Sequence, residues 1–211
     1  MNHRSRRAAG IAAAVAFAAS CSPRLPPLTG EVVPARVPVP SLPAGSRKLV
    51  FEYRYHDSDV TLRGDGAART TAPDSVRLDF FVNGENVGNV IVIGDSVVQA
   101  RPGISRRLLP PVPLLWAALG VFRVPPARDT AARVDSDTLR VEIAGAPAWR
   151  ATFMGTDLLR LDLIEDGRIP QSLIRVSATH LHFEAPAAGR SLDLIIQSVD
   201  TLPPFDASIW R

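Results

Sequence analysis

The chain has a single cysteine, Cys21, among 211 residues, which excludes an internal disulfide framework and any Cys-rich zinc site. Aromatic residues make up only 6% and charged residues 21%, against 46% hydrophobic residues. That balance excludes a disordered chain, and no apolar run reaches the ~20 residues of a spanning helix. Acidic residues are missing from the first twenty positions, where Arg4, Arg6 and Arg7 stand. Those three arginines account for the formal net charge of +3. The remainder is neutral, so a nucleic-acid partner is not expected. Also missing are the catalytic signatures GxSxG, GxxxxGKS/T, HExxH and CxxC. Gly64-Asp65-Gly66 is the nearest approach to a phosphate loop, and its carboxylate would repel phosphate. Asp135 and Asp137 flank a serine in a polar stretch and read as a turn. No catalytic residue and no cofactor can be picked out, and the chain is not expected to be an enzyme.

What is present begins at the N-terminus. Met1 to Arg7 is polar and basic, Ala8 to Ala19 is uncharged and Ala-rich, and Ala18-Ala19-Ser20-Cys21 ends it with small residues. Residues 1–20 therefore read as a secretory signal peptide. The cysteine directly after the small residues resembles a bacterial lipoprotein signal. That resemblance implies a diacylglycerol thioether on Cys21 plus an N-acyl chain such as palmitate, and several chains anchor more firmly than one. Ser22 implies the outer membrane over the inner one. The expected location is the cell outer membrane, lipid-anchored through Cys21 and facing the periplasm. A plain signal peptide with an accidental cysteine is the alternative.

Proline, with 19 residues, outnumbers glycine, with 14. Pro23, Pro26, Pro27, Pro34, Pro38, Pro40 and Pro43 crowd the stretch Ser22 to Ser46. Such spacing predicts an extended polyproline-type tether over 21–46, free of helix and sheet and reaching up to ~75 Å. Residues 47–211 then form the domain. Leu49, Phe51, Tyr53 and Tyr55 alternate with polar neighbours as a half-buried strand does. Further strands are expected over 59–64, 75–82, 89–93, 96–100, 138–143, 148–154, 158–164, 173–184 and 191–199. Asp65-Gly66, Asn83-Gly84, Gly94-Asp95 and Asp166-Gly167 punctuate them as turns, which predicts an antiparallel meander.

One segment breaks this pattern. Val112 to Phe122 has no charged residue and is bracketed by Pro110, Pro111, Pro125 and Pro126, with Pro113 suited to a first helical turn. A helix apolar all round must be covered on more than one side. It closes a core or it lids a cavity. His180 and His182 share one strand face and could join His56, Asp57 and Asp59 in a metal site only if the fold joined the two segments. Nothing in the sequence demands that, and no metal is expected.

The order of these parts resembles the LolA/LolB-type lipoprotein-localisation fold over roughly Lys48 to Arg211. The matching stretches are Pro73-Asp74-Ser75-Val76-Arg77-Leu78 with the Asn83-Gly84 turn, Pro111 and Pro113 leading to Trp116 and Gly120, Ala148-Trp149-Arg150-Ala151-Thr152-Phe153, Ile169-Pro170-Gln171-Ser172-Leu173-Ile174 and Leu192–Val199. The resemblance implies a mainly β domain with a helical lid, a strongly curved antiparallel half-barrel enclosing an apolar cavity. Receptor-type members carry an apolar residue before the Gly of the first hairpin, where this chain has the polar Asn83. The candidate lid residues are Leu114, Leu115, Trp116, Leu119 and Phe122. The candidate sheet-face residues, chosen by period-2 alternation, are Phe51, Tyr53, Leu78, Phe80, Val90, Val92, Trp149, Phe153, Leu161 and Leu163. These same side chains could instead pack a filled core. Burying ten to twelve methylenes of an acyl chain would contribute ~8–10 kcal/mol before ordering costs. The expected function is binding of a lipid or lipoprotein acyl chain in lipoprotein localisation or envelope lipid handling. The alternative is a structural lipoprotein that uses this fold as a scaffold for an envelope protein partner.

Overall fold

The computed structural model describes residues 24–58, 60–100 and 109–211. The signal peptide, Cys21 and Asp59 lie outside the described residues. Among the described residues the chain forms thirteen strands and one α-helix. The strands are β1 (Glu31–Val32), β2 (Ser46–Asp57), β3 (Val60–Thr71), β4 (Ser75–Val82), β5 (Glu85–Ile93), β6 (Ser96–Ala100), β7 (Thr130–Asp135), β8 (Thr138–Ile143), β9 (Ala148–Met154), β10 (Asp157–Glu165), β11 (Arg168–Arg175), β12 (His180–Ala185) and β13 (Arg190–Leu202). The helix, α1, spans Val112–Ala118. All strands join one antiparallel sheet in the order β1-β7-β8-β9-β10-β11-β12-β13-β2-β3-β4-β5-β6. It is open, with β1 and β6 at its edges.

Turn chemistry sets many of these boundaries. Asn83-Gly84 and Asp166-Gly167 both hold positive φ, at 50° and 82° and at 50° and 68°. Those are two-residue hairpin turns whose twist matches the flanking strands. Strands β4, β6, β8 and β9 run as the alternation predicts. Four expectations are corrected. Asp65-Gly66 is no turn, because β3 runs through it to Thr71 and Gly66 lies opposite Phe51 and Phe80. The expected strand 173–184 is two strands, β11 and β12, folded at Ser177. The Ser177 hydroxyl accepts from the Thr179 and His180 amides, making a turn without Gly or Pro. β7 was not expected. The helix stops at Ala118 rather than running to Phe122, since Gly120 takes φ +77° and the Val121 amide turns back to the Trp116 carbonyl.

The proline-rich segment is also corrected over its described part, because it does not stand clear of the sheet. Arg24 bridges to Arg168, and the Leu25 amide donates to the Gly167 carbonyl at 3.0 Å. Arg150, on β9, donates from Nη1 to the Pro26 carbonyl. β1 pairs with β7, so proline spacing left room for a two-residue strand at Glu31 and Val32. Val33 and Val37 pack into the core, the Pro40 carbonyl accepts from the Phe122 amide at 3.0 Å, and Leu42 is buried. Residues 24–45 form a strap that wraps the β1 edge onto the sheet's inner face.

That inner face must be concave. Trp116 of α1 donates from Nε1 to the Gly94 carbonyl after β5 at 2.8 Å, while Ala117 meets Leu158 and Leu173 on β10 and β11. Six strand spacings separate β11 from β5 in the sheet order, ~29 Å in a flat sheet. A seven-residue helix is only ~10 Å long. Only a sheet that curls around α1 lets it touch both.

Candidate functional site

The two halves of the concave face are occupied differently. On β7 to β11, Ala132, Val141, Trp149, Phe153, Leu161 and Leu163 form one packed core with Leu114, Ala117 and Phe122. Phe122 and Phe153 meet edge to face at 5.2 Å. On the other half, an apolar pocket of about 470 Å³ opens between α1 and strands β2 to β5, β12 and β13. Ligand pockets commonly span ~300–1,000 Å³.

Strand alternation supplies its walls. Leu49, Phe51, Tyr53 and Tyr55 come from β2, Leu78, Phe80 and Val82 from β4, Leu181 and Phe183 from β12, and Leu192, Leu194 and Ile196 from β13. Leu114, Leu115, Ala118 and Leu119 of the α1 region face it, with Leu109 and Pro110 beside them. Among the described residues of the lining, the tyrosine hydroxyls are the only polar side-chain groups and no side chain is charged. Phe80 meets Phe51 and Tyr53 edge to face at 5.9 and 5.4 Å. Tyr53 donates its hydroxyl to the Phe81 carbonyl at 3.3 Å. Burial first, then the nearby Asp65 charge, pushes its phenol above the ordinary value. It therefore stays neutral.

The Gly64-Asp65-Gly66 sequence finds its physical reason here. A Cβ at Gly66 would overlap the Phe51 ring, and one at Gly64 would strike the Phe81 carbonyl and crowd Tyr53. The glycines let two aromatic rings of β2 lie across β3.

Of the candidate residues, Phe51, Tyr53, Leu78, Phe80, Val90, Leu114, Leu115 and Leu119 line the pocket. Phe122, Trp149, Phe153, Leu161 and Leu163 lie in the packed core instead. Val92 and Trp116 sit in a second packed group with Leu42, Val76 and Val121. Trp116 works as a pin. It is fully buried, it holds the Gly94 carbonyl, and the Arg123 guanidinium lies 5.0 Å from its ring centroid. Sequence reading missed the β12 and β13 walls. The alternation of Leu192, Leu194 and Ile196 identified their face but not their neighbour.

The outer face carries ion pairs. Asp79 is held by Arg69 and Arg77, and Asp162 accepts from Arg160 and from the Ser172 hydroxyl, the latter at 2.7 Å. Asp193 lies between His180 Nε2 at 2.8 Å and His182 Nδ1 at 3.0 Å. His56 stands apart, with its Nδ1 3.2 Å from the Thr61 hydroxyl. Among the described residues no cluster of three potential ligands could hold a metal ion. Nor is any described helix long and apolar enough to cross a membrane.

No protein-family model matches the chain, and no curated protein matches it. Solved structures do. A LolA superfamily protein from Nitrosomonas europaea superposes with a TM-score of 0.54 at 10% identity, covering 81% of this chain and 92% of that one. An outer membrane lipoprotein-sorting protein domain from Vibrio parahaemolyticus gives 0.48 at 9% identity over 79% and 89% of the two chains. A DUF1329 family protein from Desulfovibrio piger gives 0.48 at 8% identity over 80% and 90%. The first of these shows that the chain has a LolA-like fold.

Proposed function

We propose that this protein is an outer-membrane lipoprotein, anchored through acylated Cys21, that holds an acyl chain of a lipid or lipoprotein in the pocket beneath α1. It acts as a carrier, without catalysis, in lipoprotein localisation or envelope lipid handling. One observation carries the reading: a 470 Å³ pocket with no charged side chain among the described residues of its lining persists beside a fully packed half of the same sheet. An apolar space of this kind does not hold water well and gains from an apolar guest. At ~0.8 kcal/mol per methylene, a partly buried acyl chain recovers several kcal/mol. The LolA-like fold and the signal-peptide pattern ending at Cys21 support the same reading. The α1 region is the moving part in this scheme, because Leu115 and Leu119 are only partly buried over the pocket.

The test is native mass spectrometry with lipid extraction on a soluble form beginning at Ser22, joined to titration with a fluorescent fatty-acyl probe. The expected result is co-purified phospholipid or acyl species. Leu115→Glu or Leu119→Trp should lose that species and weaken probe binding at least tenfold. A bare protein mass together with no probe binding overturns the carrier reading and leaves a scaffold for an envelope partner.

A further inference from the structure

The strap fixes where the chain enters the domain, and this sets a membrane orientation that the pocket alone would not. Arg24 and Leu25 are held at the turn between β10 and β11 through Arg168 and Gly167. Cys21 is three residues before Arg24, so the backbone between them spans no more than ~11 Å. The expected 75 Å reach is not used.

An antiparallel sheet sends alternate turns to opposite ends. The turn at Asp166-Gly167 therefore shares an end with the Pro186–Ala188 turn, the β2–β3 turn and the Asn83-Gly84 turn. The Ser58 amide donates directly to the Gly189 carbonyl at 3.2 Å, which joins two of those tips. At the other end lie the turns near Ser177, Gly155 and Gly94. The pocket is not exposed equally at both. Among its described lining residues only Leu62 and Val87 are exposed, at 43% and 39%, and both lie near the turns of the strap's end. Val60, 49% exposed, stands beside them at the start of β3.

We infer that the short leash from Cys21 docks the apolar mouth of the pocket, rimmed by Val60, Leu62 and Val87, onto the bilayer in which Cys21 is anchored. The occupant of this rim is the surface of the anchoring leaflet. A chain leaving the pocket then enters that leaflet without crossing water. The inference rests on the acylated-Cys21 part of the proposed function and not on what fills the pocket.

The experiment uses the full acylated chain in vesicles of phosphatidylethanolamine and phosphatidylglycerol. Cys21 is the only cysteine and is consumed by its thioether, so V60C, V87C and V176C each give one labelling site. Val176 is 57% exposed and lies at the opposite end of the sheet. With an environment-sensitive fluorophore, brominated lipid should quench the labels at 60 and 87 at least twofold and leave the label at 176 unchanged. Inserting about twenty Gly/Ser residues after Ser22 should reduce that quenching several-fold. Quenching at 176, none at any site, or no response to the inserted linker would each overturn the inference, as would an intact mass without acylation at Cys21. Fatty-acyl probe binding on the same vesicles separates the two readings. Quenching that survives without probe binding sinks the carrier and keeps the orientation.

Discussion

Two halves of one concave sheet carry the same alternation and end in different states. On β7 to β11, Trp149, Phe153, Leu161 and Leu163 are covered by Leu114, Ala117, Phe122 and the strap residues Val33 and Val37. On β2 to β5, Leu49, Tyr55, Leu78, Phe80 and Val82 stay only partly buried although they are as apolar. The difference lies in the chain outside the sheet. Among the described residues, the strap and Phe122 fill one half, while the α1 region with Leu109 and Pro110 is what reaches across the other. Alternation selects a face; the covering segments decide whether that face becomes core or pocket.

The largest expected effect is on that contrast itself. Phe153→Ala should cost about 3–5 kcal/mol in urea unfolding, because it opens a sealed cavity among fully buried neighbours. Phe80→Ala should cost less than half as much, since it only widens a space that already exists. Equal losses would mean that the open half closes in solution. Next comes Trp116→Phe, which keeps an aromatic ring but removes the donor to the Gly94 carbonyl. A loss of about 1–2 kcal/mol is expected. Because this pin ties α1 to the β5–β6 turn, the fatty-acyl probe should also dissociate faster. A stability loss with unchanged probe kinetics would show that α1 is held over the pocket by other contacts.

Gly66→Ala sharpens the comparison from inside the open half. The new methyl overlaps the Phe51 ring, which can relieve the clash by swinging into the pocket that it lines. Probe affinity should fall several-fold with a stability change near ~1 kcal/mol. A fall in stability without a change in affinity would place the relaxed ring elsewhere.

How much of this was written in the sequence follows the same division. The end of β4 and the start of β8 were legible because Asn83-Gly84 and the polar stretch Asp135-Ser136-Asp137 mark the turns beside them, where Asn83 and Ser136 do take positive φ. The β11–β12 hairpin was hidden, since its turn depends on the Ser177 hydroxyl rather than on Gly, Pro or Asn. The strap was hidden for a different reason. Prolines forbid long regular structure, but they do not forbid single hydrogen bonds from the Leu25 and Val33 amides to the sheet. Phe51 and Phe153 look alike in their own strands, and what separates pocket wall from core is the strap residue Val37 or the Phe122 ring, both distant in sequence.

The smallest expected effect extends the comparison to the outer face. Behind the packed half, Asp162 is nearly sealed between Arg160 and Ser172, with 4% side-chain exposure. Behind the open half, Asp193 retains 33% exposure between His180 and His182. Burial alone would raise the Asp193 carboxyl, but the hydrogen bonds and charges of the two histidines outweigh it and hold the group below its ordinary value of 3.8. A carboxyl depressed in the folded state adds stability that is complete above its unfolded value and is lost as pH falls through the folded one. Asp193→Asn should therefore narrow the acid limb: the gap between wild type and variant stays constant from pH 5 down to about 4 and closes below it. Solvent screens so exposed a pair, so the gap should be small. Urea unfolding of wild type and variant between pH 5 and 2 measures it. A wider gap at Asp193 would mean that β12 and β13 depend on their outer rung because nothing packs firmly on their inner side.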